Sequence, residues 1–220
     1  LHIAHVSTKG AVELIRRARE EGIPVTAEVA PHHLTLTEER IERRPPSKTF
    51  DVSAKVNPPL RTRKDVQALI KGLRDGVIDA IATDHAPHTL ADKNCKLERA
   101  AFGISGFETA FGCLMSLAHN GELSLTQLIS KLTCEPAKVI GKTDELGTLK
   151  IGAPANMIIL DPDQEWIVNS REFASKGKNT PYDGCKFKGK VMGTITKGKI
   201  AYIDDSLVIA RNEVTKQSHG

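Results

Sequence analysis

Val77-Ile78-Asp79-Ala80-Ile81-Ala82-Thr83-Asp84-His85-Ala86-Pro87-His88 is the stretch on which the fold turns. Its first half is an apolar run of the length of a buried strand, and Pro87 cannot donate to a ladder, so the strand stops there. An acid and two imidazoles are therefore delivered where a strand ends and a loop begins. In sheets of parallel strands that carboxyl end is where ligands bind and chemistry takes place. Asp and His are also donors suited to zinc, and Asp can accept a proton as well. Taken alone, such a pair is more often a turn cap beside solvated histidines, so the surrounding chain decides its meaning.

Upstream, the same design repeats. Residues 2–6 alternate like a strand and end near His5. Val12, Leu14, Ile15 and Ala18 mark a helix over 9–21 that Gly22 stops. Residues 24–30 read as a second strand ending at Pro31-His32-His33, and Thr37 opens a short helix with Glu38 and Glu39 where the dipole favours acids. Residues 50–56 read as a loose extended segment running into Asn57-Pro58-Pro59-Leu60-Arg61. Val66, Leu69, Ile70 and Leu73 make an amphipathic helix of 63–75, ended by Gly76. This β-α-β-α-β order predicts a parallel sheet or a (β/α) barrel whose strand ends bring His5, then His32 and His33, then Asp84 and His88 to one face. Helices are expected at 106–119, 124–132 and 136–140.

From Leu146 the texture changes. Residues 149–152, 156–160, 165–168 and 188–203 read as short strands between Gly and Pro turns, with no helices among them. The expected architecture is α/β: part of a (β/α) TIM-type barrel over 1–145, a small β-sandwich region over 146–204, and a polar tail over 205–220. About three β/α units precede the β region, whereas a closed barrel needs eight. The chain is therefore expected to be the back part of a longer enzyme.

Bulk properties narrow the function classes. With 220 residues, 40% hydrophobic and 26% charged, the chain has a globular composition. A net charge of +4, with one basic run at 40–44 and a Lys-rich segment at 186–199, lacks the aromatic interleaving of nucleic-acid binders. No apolar run has the length of a membrane span. Cys95, Cys113, Cys134 and Cys185 form no CxxC pair, which excludes a zinc ribbon or redox motif and fits a reduced, cytoplasmic protein.

The ordered set His5-Val6-Ser7-Thr8, Ala27-Glu28-Val29-Ala30-Pro31-His32-His33, Val56-Asn57-Pro58-Pro59-Leu60-Arg61 and Asp84-His85-Ala86-Pro87-His88 resembles the dihydroorotase family, in the bacterial-type branch of the metal-dependent amidohydrolases. Phe102-Gly103-Ile104-Ser105-Gly106-Phe107-Glu108-Thr109, Gly147-Thr148-Leu149-Lys150-Ile151-Gly152 and Asn179-Thr180-Pro181-Tyr182 resemble it too. The resemblance implies reversible hydrolysis of dihydroorotate to N-carbamoyl-aspartate in pyrimidine synthesis, at a centre holding two zinc ions. It implies His5 as a metal ligand and Asp84 as both metal ligand and proton shuttle. Asn57, His88, Phe102 and Gly103 would hold the substrate. Each has a plainer reading: His5 as a satisfied core histidine, Asn57 and Gly103 as turn residues, His88 as a surface residue, Phe102 as core. Glu28, His32 and His33 stand near the mouth without an assigned role, and His2 is read as structural.

The family's His-x-His-x-Arg motif, its bridging acid or carboxylated lysine and a further strand-end histidine have no counterpart here. Two ligands rarely make a tight zinc site, so this chain alone is expected to be inactive and poorly folded. Two other readings stand beside the first: a sister ring-amide hydrolase such as an allantoinase or hydantoinase, and a non-catalytic homologue that partners aspartate carbamoyltransferase. A homodimer is also expected from the resemblance.

Overall fold

The computed structural model describes residues 1–42 and 49–207; Arg43 and Arg44 of the basic run and the tail beyond 207 lie outside the described residues. Three short strands, β1 (His2–Ile3), β2 (Thr26–Val29) and β3 (Ala80–Ile81), form a parallel sheet in that order. Ile3 lies opposite Ala27, and Val29 opposite Ile81. Ala27, Val29 and Ala80 are buried, so the middle of the sheet is apolar, as parallel sheets covered by helices require.

Helix α1 (Lys9–Glu20) starts where the Thr8 hydroxyl accepts the Ala11 N–H at 3.1 Å. The single turn α2 (Pro31–Thr35) has proline in its first turn, where no donor is needed. It corrects the reading of 31–33 as a strand end and buries His32 and His33. Helix α3 (Arg63–Arg74) opens with a reciprocal Thr62–Asp65 capping box. Val12 and Ile15 of α1 and Val66, Leu69, Ile70 and Leu73 of α3 enter one apolar core. A Cβ on Gly72 would sit 3.1 Å from Val12, which is how closely α3 approaches α1. The extended segment expected at 50–56 contains instead a 3₁₀ turn, Val52–Ala54, started by the Asp51 carboxylate.

Beyond β3 come the short α4 (Leu90–Lys93), then α5 (Ala110–His119), α6 (Leu125–Leu132) and α7 (Cys134–Val139). Strands β4 (Met157–Ile167), β5 (Lys186–Thr196) and β6 (Lys199–Ile203) form an antiparallel meander, with register shifts in β4 at Ile159/Leu160 and Asp161/Glu165. The strand expected at 149–152 is absent among the described residues. Gly147 (φ 63°) and Gly152 (φ 90°) turn the chain, and Leu149 and Ile151 project into solvent with no partner strand. Where a sandwich was expected, the described residues form one three-stranded sheet. Gly112 of α5 is where this sheet seats: a Cβ there would meet Phe187 at 2.7 Å and Trp166 at 2.9 Å. The core is continuous across this contact and takes in Val168, Phe173 and Tyr182. Among the described residues no helix is long and apolar enough to cross a membrane.

Candidate active site at the strand ends

Each of β1 and β3 is followed, two or three residues on, by a candidate site residue in left-handed backbone: His5 at φ 52° and Asp84 at φ 48°. Such conformations cost of order 1 kcal/mol for residues with a Cβ and cluster at functional sites. Here they bring two side chains from different strands together, with His5 Nε2 3.5 Å from Asp84 Oδ1. Glu28, on the strand between them, has Oε1 3.2 Å from His5 Nδ1 and Oε2 3.2 Å from His2 Nε2. His32 Nε2 approaches Asp84 Oδ2 at 3.6 Å from the other side. His5 Nδ1 and His32 Nε2 are buried and lack an aligned hydrogen-bond partner, the first despite its closeness to Glu28.

Burial sets the charges. It raises the Asp84 carboxyl above the usual carboxylate range; His5 pulls the value back and the Glu28 carboxylate adds to the rise. Burial also lowers His32 well below the usual imidazole value, with His33 and His5 contributing. His33 falls to about 4, burial again dominating, against the opposing hydrogen bond to Pro58. Both imidazoles are neutral at pH 7, the form that ligates metal or accepts a proton.

The remaining sequence candidates lie on two loops. Asn57 is exposed and precedes a cis bond to Pro58, whose carbonyl accepts from His33 Nε2 at 2.9 Å. His88 Nε2 donates to the Phe102 carbonyl at 2.8 Å. Gly103 has φ 142° and could not carry a side chain, since a Cβ would lie 2.5 Å from that of Ala86. Its N–H donates to the Lys55 carbonyl at 2.9 Å, and its carbonyl accepts from Lys93 Nζ at 3.0 Å. The exposed Phe102 ring lies 4.2 Å from Lys55 Nζ. The structure therefore joins His88, Phe102 and Gly103 into one unit beside Asp84, and ties the Asn57 segment to it through Lys55.

Several participants were not assigned from sequence. Glu28 could have been singled out as the one charge in a strand otherwise of Thr, Ala and Val. His85 stacks on Phe107 at 3.7 Å, and its Nδ1 accepts the Gly106 and Phe107 N–H groups at 3.1 and 3.2 Å, which fixes the proton on Nε2. Buried Lys93, pulled down to about 8 by burial and the Lys55 charge, gives its three donors to three backbone carbonyls.

His5 and Asp84 fit a shared cation. Two donors about 2.0–2.2 Å from a tetrahedral zinc stand roughly 3.4 Å apart, close to the 3.5 Å between His5 Nε2 and Asp84 Oδ1. They would be two ligands of such a centre; the described residues contain no group of three or more His, Cys, Asp or Glu that could hold a metal.

A model of the amidohydrolase family matches residues 1–201. A dihydroorotase from Caldanaerobacter subterraneus subsp. tengcongensis is 52% identical over 203 residues, covering 92% of this chain and 45% of the relative. A dihydroorotase from Bacillus cytotoxicus is 51% identical over 209 residues, covering 94% and 47%. The chain thus spans about half the length of the curated relatives it matches. Among solved structures, the L-hydantoinase (dihydropyrimidinase) from Arthrobacter aurescens superposes with a TM-score of 0.83 at 32% identity, over 92% of this chain and 45% of that one.

Proposed function

This chain belongs to the amidohydrolase family, which is metal-dependent, and we propose that it carries the strand-end half of a dihydroorotase site. The reaction would open the ring amide of dihydroorotate to N-carbamoyl-aspartate, reversibly. The observation that carries this reading is the 52% identity to a dihydroorotase, against 32% to the L-hydantoinase, each over 92% of the chain. The three parallel strands are read as an arc of a (β/α) barrel, with residues 1–145 as its domain and 146–204 as the β region.

His5 and Asp84 would hold the metal, with further ligands from outside the described residues. When bound, the metal supplies a Lewis acid for the ring carbonyl and an acidified water. Asp84 takes the proton as the water oxygen bonds to the carbonyl carbon, and returns it to the ring nitrogen as the carbon–nitrogen bond breaks. A carboxyl whose pKa is raised by burial is better matched to both halves of that transfer than an ordinary one. Glu28 orients the His5 imidazole, and neutral His32 lines the far side of Asp84. Asn57, His88, Phe102 and Gly103 form the substrate side. The same reading implies zinc, two ions in a complete centre, a cytoplasmic location, and a homodimer able to associate with aspartate carbamoyltransferase.

Assaying the zinc-loaded protein, with this chain joined to the part that carries the remaining metal ligands, on dihydroorotate, hydantoin and allantoin tests this. At least a hundredfold preference in kcat/KM for dihydroorotate is expected. Preference for hydantoin would give the site to the hydantoinase reading, which the shared fold of the Arthrobacter enzyme favours. No turnover of any ring amide would favour a non-catalytic partner.

A further inference from the structure

Asn179 lies far from the catalytic pair in sequence and carries no role in the chemistry above, yet its side chain is buried and uses every hydrogen-bonding position it has. Its Nδ2 donates to the Ala86 carbonyl at 3.2 Å and to the Gly103 carbonyl at 3.0 Å. Its Oδ1 accepts the His88 N–H at 2.8 Å and the Ser105 hydroxyl at 2.8 Å. Its backbone carbonyl accepts the Ser105 N–H at 2.8 Å. One carboxamide thus joins the loop after Asp84 to the loop of Phe102 and Gly103. An amide has two donors and about two acceptor sites, so no other neutral side chain of this size could make all four bonds.

The segment that presents it is itself anchored at both ends. A Cβ on Gly177 would come within 2.5 Å of Pro87, so glycine is needed for that close approach. At the other end the Tyr182 hydroxyl lies 2.7 Å from Thr35 Oγ1 in the turn that carries His32 and His33, and Arg40 donates to the Pro181 carbonyl at 2.7 Å. The strap leaves the antiparallel region and reaches both sides of the candidate site.

We propose that Asn179 is a positioning residue: its carboxamide clasps the Asp84–His88 loop to the Phe102–Gly103 loop and sets the spacing of the substrate side. This rests on the dihydroorotase reading for the identity of the substrate, but the clasp itself does not. A residue that holds binding loops, without touching reacting atoms, affects substrate capture more than the chemical step.

The test is Asn179→Asp, which keeps size and both acceptor contacts but loses both donors. Hydrogen exchange should show the Ala86 and Gly103 amides losing at least tenfold protection while those of β2 keep theirs. KM for whichever ring amide the wild-type protein hydrolyses should rise at least tenfold with kcat within threefold. Ser105→Ala, which removes one donor only, should raise KM less, and combining the two should add nothing. Unchanged local exchange overturns the clasp whether or not the protein is active. Equal loss of protection in β2 shows a merely structural residue and also overturns it. If Asn179→Asp does not fold, Ser105→Ala decides on the same local exchange. Failure of the wild type on dihydroorotate alone overturns the substrate reading and leaves the exchange result to judge the clasp.

Discussion

His5 Nε2 and Asp84 Oδ1 face each other across 3.5 Å although they follow different strands and are 79 positions apart. Both backbones are left-handed, so the pair is held by two locally unfavourable conformations rather than by a regular element. Interior packing must compensate for that cost, and Val6 directly after His5 is buried in the core.

Asp84→Asn should lower kcat by about 10²–10⁴-fold, the usual contribution of a positioned acid–base group. Asn tolerates left-handed backbone as well as Asp does, so the fold should be unaffected. Steady-state turnover with circular dichroism checks this, and unchanged kcat would remove the proton shuttle from Asp84.

Glu28→Gln should weaken metal binding about 10–100-fold, the typical effect of removing a carboxylate behind a ligating histidine. Competition with a chromogenic zinc chelator reads this without reference to activity. Equal affinity in the two proteins would show that Glu28 does not orient His5.

Acid should destabilise the protein in a defined window. His33 titrates at about 4 when folded and near 6.5 when unfolded. Between these values the unfolded chain binds the extra proton, so stability is complete above 6.5 and is lost as pH falls towards 4. The full loss from this residue is roughly 3 kcal/mol, and His32, shifted the same way, adds to it. Urea midpoints at pH 7 and pH 4.5 measure the effect; equal midpoints would contradict it.

Gly112→Ala should cost about 1–3 kcal/mol, as overpacking does, because the new methyl would press on the Phe187 and Trp166 rings. The thermal midpoint should fall while KM stays the same. An unchanged midpoint would mean that the sheet does not seat on α5 as described.

Much of this was legible before the structure. Helices α1 and α3 follow from Val12 and Ile15 and from the Val66, Leu69, Ile70 and Leu73 stripe, because one-sided apolar spacing has few other solutions. That His5 and Asp84 share a face follows from reading both as strand ends. The turn burying His32 was not legible, because Pro31 serves equally as a strand stop and as a first helical residue. Residues 149–152 alternate like a strand but find no partner, which local pattern cannot reveal. The clasp made by Asn179 was not legible either, since its four side-chain partners lie 74 to 93 positions away.

The most direct test of the account is a crystal structure of the zinc-loaded protein with dihydroorotate, using anomalous scattering to locate the metal. The account predicts zinc between His5 Nε2 and Asp84 Oδ1, with the ligand's ring against His88 and Asn57. Zinc held elsewhere, with neither His5 nor Asp84 touching it, would contradict it.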